Sequence, residues 1–155
     1  MLVLVGTLSI LLFAGSAVAQ KIASPNSTPA TPKEPSNLAE AAGRYLAAVE
    51  QLNILKMSRC GYAIKKRQLP SYDKLSTDVI LPAFPANARG EAATALRSLK
   101  GGTNMQGQEF FDRIYVYYTQ NEQLDNNTAC GMIAAAFITS AKLSEEAFER
   151  KAAQR

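Results

Sequence analysis

Between Asn37 and Cys60 the chain reads NLAEAAGRYLAAVEQLNILKMSRC, and the fold turns on the period of its apolar residues. Leu38, Ala42, Tyr45, Val49, Leu52 and Leu55 recur at intervals of three and four, which lines them up as one stripe on a helix. Arg44, Glu50, Gln51 and Lys56 fall off that stripe. Asn37 can cap the first turn, and Glu40 stands three residues on, as in a capping box. The pattern predicts a helix from about Asn37 past Cys60 towards Lys66, with Pro70 blocking continuation.

The same period continues towards the C-terminus. A short helix is expected over Tyr72–Leu81, with Tyr72, Leu75, Val79 and Ile80 facing inward, before Pro82 and Pro85 punctuate the chain. A third is expected from Pro85 to Lys100, with a thin face of Ala88, Ala92, Ala95, Leu96 and Leu99; Gly101-Gly102 reads as its stop. A fourth is expected from Gly107 to Glu122, and a fifth, capped by Thr128, carries Ile133, Ala134, Phe137, Ile138 and Ala141 towards Arg150. Ile114 to Tyr118 is β-prone by residue type but lies inside a helical period, so no strand is expected. The fold class predicted is all-α: a small four- to five-helix, mostly antiparallel bundle.

Ahead of this domain, residues 1–19 contain no charged side chain and carry the apolar run Leu2 to Phe13, relaxing into Ala17-Val18-Ala19 before Gln20. Small residues in that register are what a signal peptidase accepts, so residues 1–19 read as a signal peptide. No basic residue precedes the run, which departs from the usual pattern. An uncleaved anchor is the rival reading, but the run is shorter than the roughly 20 apolar residues a span needs. Residues 20–36 hold Pro25, Pro29, Pro32 and Pro35 among Ser, Thr and Asn, the composition of a disordered linker. The helical domain is assigned to 37–155, and the location expected is periplasmic or secreted.

Export bears on the two cysteines, Cys60 and Cys130. Their spacing suits neither a CxxC redox pair nor a zinc knuckle. In an oxidising compartment a long-range pair is most simply a disulfide, with two separate buried thiols as the alternative. Closing a loop of ~70 residues is worth about 4 kcal/mol on the chain-entropy estimate.

Two features bear on partners. Phe110, Ile114 and Tyr117 lie on one stripe of the fourth helix, and Phe111, Tyr115 and Tyr118 on the next, more than packing against a single face needs. Either that helix is central, or part of its face (Tyr115, Tyr117, Tyr118) is exposed for protein binding. Lys56, Arg59, Lys65, Lys66 and Arg67 surround the first cysteine. They suit an acidic partner or peripheral contact with an anionic membrane, and equally the C-terminal dipole of a helix. A net charge of +4 is modest, and with export it makes nucleic acid an unpromising partner.

Catalysis has little to stand on: histidine is absent, and a disulfide would consume both thiols. Glu109 with Asp112 and Glu145 with Glu149 share helical faces, but exposed acid pairs are usually solvated. Gly101-Gly102 lacks the Gly-Lys-Ser/Thr of a phosphate loop, and Asp125-Asn126-Asn127 lacks the spacing of a calcium loop. No cofactor and no metal site are expected.

The layout of signal segment, small helical domain and one distant cysteine pair resembles that of immunity proteins that block type VI secretion amidase effectors. The likeness is architectural, carried by the two cysteine regions and by no diagnostic motif. It implies an inhibitor that binds another protein. A carrier holding an apolar ligand or lipid among Phe110, Phe137 and Ile138, or a structural subunit of the envelope, would suit the same composition.

Overall fold

The computed structural model describes residues 33–154; the segment read as a signal peptide and the leader expected to follow it, as far as residue 32, lie outside the described residues. Helix α1 spans Leu38–Met57, α2 is the single turn Tyr72–Leu75, α3 spans Arg89–Val116 and α4 spans Asn126–Ala153. Shorter turns fill the gaps: 3₁₀ at Gly61–Ile64, Leu81–Ala83 and Ala86–Ala88, and π at Ser76–Ile80 and Tyr117–Asn121. No strand occurs among the described residues. The chain is an all-α bundle.

Helix α1 starts as its sequence implies. Asn37 accepts from the Glu40 backbone N–H at 2.9 Å. The Glu40 carboxylate reaches back one residue further than a standard box, to the N–H and hydroxyl of Ser36. The apolar stripe from Ala42 to Leu55 is buried, with Leu38 at its edge. The helix stops at Met57, short of the expected run past Cys60. The Ser58 hydroxyl bonds to the Leu55 carbonyl at 2.7 Å and receives the Cys60 N–H at 3.1 Å, so a side chain takes over from the helical ladder.

Gly101-Gly102 does not end a helix: α3 runs through both and takes in the expected third and fourth segments. Two glycines cost the helix about 1 kcal/mol each relative to alanine. Burial on either side outweighs that. Leu96 packs into one cluster with Ala41, Ala42, Leu46, Val49, Tyr72 and Phe148. Phe110, Phe111 and Ile114 pack into another with Leu52, Leu55, Ile64, Ile133 and Phe137. The first half of α3 therefore lies beside the start of α1, the second half beside its end, and the two run in the same sense. The segment 58–88 carries the chain back between them. Val79, expected inward, is exposed because the π turn over Ser76–Ile80 shifts the register and buries Ile80 instead.

Helix α4 is antiparallel to both. It is capped by Asp125 rather than Thr128, the Asp125 carboxylate accepting from the N–H groups of Asn127 and Thr128. The Thr128 hydroxyl donates to the same carboxylate and holds it below the usual range. At its start α4 meets the end of α1 through Cys60 and Cys130, which form a disulfide with Cα atoms 5.1 Å apart, both fully buried. At its end, Phe148 packs against Tyr45 of the first turns of α1, the rings tilted by 32° with centroids 5.8 Å apart. Residues 33–36 lie against this second end: Pro35 is buried, Glu34 pairs with Arg150 and Arg44 donates to the Lys33 carbonyl. No described helix is long and apolar enough to cross a membrane.

Candidate functional site

The disulfide end gathers most of the residues that the sequence marks for binding. Beyond Cys60, Gly61 sits against the carbonyl of Lys56 so closely that a β-carbon would collide with backbone atoms. That close approach starts the 3₁₀ turn Gly61–Ile64. The turn drives Ile64 into the core and leaves Tyr62, Lys65, Lys66 and Arg67 outside. The segment is held at two further points. Lys56 Nζ donates to the Arg67 carbonyl at 3.2 Å, and Asn53 Nδ2 to the Pro70 carbonyl at 3.2 Å.

Polar links also run across the disulfide to the start of α4. The Tyr62 hydroxyl donates to Asn127 Oδ1 at 2.9 Å, and the Tyr115 hydroxyl donates to Asn126 Oδ1 at 2.8 Å. The Arg59 guanidinium lies 4.7 Å from the centre of the Tyr115 ring, within cation–π range.

Tyr62 to Arg67, together with Ile138 of α4, line a shallow, open groove of about 590 Å³. Its apolar lining, which we term the floor, is Ile64, Ala63 and Ile138 beside the Tyr62 ring; its cationic lining, termed the rim, is Lys65, Lys66 and Arg67. From Gln51 to Tyr72 the chain has five cations and no carboxylate. Among the described residues, none of those five has a carboxylate within 4.0 Å, whereas Arg44, Lys74, Lys100 and Arg150 are paired at 2.5, 2.5, 2.6 and 3.3 Å. Arg89, Arg97, Arg113 and Lys151 also lack such a pair among the described residues, but only here do three cations, Lys65, Lys66 and Arg67, follow one another along a groove in an interval free of carboxylates.

The sequence-selected residues divide accordingly. Lys65, Lys66 and Arg67 are exposed along the groove, and Tyr115 stands at the same end, half-buried. Tyr117 and Tyr118 occupy the π turn after α3, half-buried, their rings edge-on at 5.6 Å. The Tyr117 hydroxyl donates to Glu122, which raises its pKa. No described hydrogen bond or ring contact links these two tyrosines to the lysines.

Of the residues proposed to line a ligand cavity, Phe110 and Phe137 stack on each other at 6.0 Å and fill the space between their helices, while Ile138 faces the groove. Sequence reading missed Tyr62, Asn126 and Asn127 as parts of this site. For Tyr62 the signal available was the acid-free interval from Gln51 to Tyr72; Asn126 and Asn127 lie outside it. The acid pairs carry no clustered chemistry: Asp112 receives the Gln108 amide and Glu145 the Tyr45 hydroxyl.

No protein-family model, no curated protein and no solved structure matches this chain.

Proposed function

We propose that this chain is an exported, non-enzymatic binding protein that engages an acidic face of another protein through its disulfide-bridged end, acting there as an inhibitor or immunity-type factor. The observation that carries this reading is the set of five cations in the carboxylate-free interval from Gln51 to Tyr72, of which Lys65, Lys66 and Arg67 line a groove near the buried disulfide and Lys56 and Arg59 lie close in sequence to it. Within a fold, cations left without counter-charges are stabilised best when a partner supplies them. They also steer association, raising on-rates by roughly 10–10³-fold at low salt. Rigidity adds to this, because a surface fixed by a covalent link and by the Tyr62 and Tyr115 hydrogen bonds loses little freedom on binding.

The test is affinity capture from the native envelope fraction, using the oxidised protein and its Lys65→Glu/Lys66→Glu/Arg67→Glu variant side by side. Recovery of one hydrolase by the wild type at low salt, with loss of capture by the variant, is the expected result. Co-purified lipid without protein would overturn it in favour of a carrier.

A further inference from the structure

The groove itself narrows the chemistry of the partner. We infer that the groove between residues 62–67 and Ile138 seats a short acidic segment of the partner protein, with one aliphatic side chain on the floor and carboxylates on the Lys65, Lys66 and Arg67 rim. This rests on the protein-binding reading above and specifies what that surface recognises.

Three observations favour this occupant. First, the groove is open, so a small molecule would leave much of its surface in water. Free ligands are normally held in pockets that bury most of them, whereas a segment of a larger protein brings its own scaffold. Second, the apolar lining suits one side chain: Ile64 is only 4% exposed, beside the exposed Ala63 and the half-exposed Tyr62. Seating an aliphatic side chain there removes apolar surface from water, while the cationic chains beside it keep their heads in solvent. Third, the charge is one-sided, with no described carboxylate pairing any of the rim cations. An acidic chain is the complement, and the rim stems of Lys65 and Lys66 add apolar surface of their own.

The experiment uses the oxidised full chain and fluorescein-labelled ten-residue peptides followed by anisotropy. One peptide is Glu-rich with a central Leu, a second replaces that Leu by Ser, and a third is Lys-rich. The Leu peptide should bind about tenfold more tightly than the Ser peptide, the gain from burying one aliphatic side chain. Its affinity should fall as salt rises, and the Lys-rich peptide should not bind.

Two variants separate charge from shape. Lys65→Glu/Lys66→Glu/Arg67→Glu should abolish binding. Ala63→Arg, at an exposed floor position, adds a cation while filling the groove, so it should cut the Leu peptide's affinity to that of the Ser peptide. Equal affinities for the Leu and Ser peptides, or stronger binding to Ala63→Arg, would overturn the groove assignment. So would binding to phosphatidylglycerol vesicles with none to the peptides.

The two proposals fail separately. A captured protein that ignores both variants removes this groove and leaves protein binding standing. The peptide signature without any captured protein does the reverse.

Discussion

Tyr45 and Glu145, a hundred residues apart in sequence, are joined by a 2.8 Å hydrogen bond from hydroxyl to carboxylate, at the opposite end of the helix pair that Cys60 and Cys130 close. The α1–α4 pair is thus fastened at both ends, once covalently and once by a phenol. In Tyr45→Phe the ring keeps its tilted contact with Phe148 and only the hydrogen bond goes. Stability should fall by about 1 kcal/mol, which thermal unfolding would show as a drop of a few degrees.

The same tyrosine sets the alkaline limit. Burial, then the Glu145 hydrogen bond, raises the Tyr45 hydroxyl above its ordinary value of 10.0, and burial followed by the Glu50 charge pushes Tyr72 up to about 12. A raised folded-state pKa means that the stabilisation is complete below pH 10 and is lost as pH rises beyond it. Stability measured between pH 10 and 12 should fall, and in a Tyr45→Phe/Tyr72→Phe variant it should fall less steeply.

At the acid end the relevant group is Glu40. The Ser36 hydroxyl and N–H, with Arg44, lower its carboxyl from an ordinary 4.5 to about 2. Its contribution is therefore present above pH 4.5 and disappears as pH falls towards 2. The side chain is 39% exposed, so water screens the effect to less than about 1 kcal/mol. Glu40→Gln should be slightly less stable than wild type at pH 7 and indistinguishable near pH 2 by urea titration.

Two glycines should respond with opposite signs. Gly61→Ala must displace the Lys56 carbonyl, a backbone group, and should cost about 1–3 kcal/mol. A β-carbon at Gly102 meets nothing within 4 Å, inside a helix, so Gly102→Ala should stabilise by about 0.5–1 kcal/mol. Paired chemical denaturation curves would check both at once.

Removing the covalent link tests its share directly. Cys60→Ser/Cys130→Ser should lose about 4 kcal/mol, the chain-entropy value for a ~70-residue loop. Because Ile64 and the 3₁₀ turn adjoin Cys60, the loss should be accompanied by faster amide exchange over residues 61–67, read by mass spectrometry.

Periodicity made α1 and α4 legible because their apolar stripes are long and uninterrupted, and the cysteine pair followed from its long spacing taken together with the expectation of export. The boundaries were harder. Gly101-Gly102 looked like a stop because local propensity cannot register that Leu96 and Phe110, either side of it, each find a separate cluster to fill. The end of α1 was hidden in one serine whose hydroxyl replaces a helical partner. At the disulfide end, Lys65, Lys66 and Arg67 were visible as a charge run. Tyr62 and Ile138 were not, because they come together only when a 3₁₀ turn and a helix more than seventy residues later share one wall.

The docking of residues 33–36 has a practical consequence. The polypeptide joins the bundle where Arg150 holds Glu34, and α1 then carries it about 30 Å before the first cation of the cluster. A dye, bead or carrier coupled at Lys33 itself would therefore sit at one pole and leave the other pole facing open solution. The point where the described chain enters and the end proposed for binding are thus separated by the length of a helix.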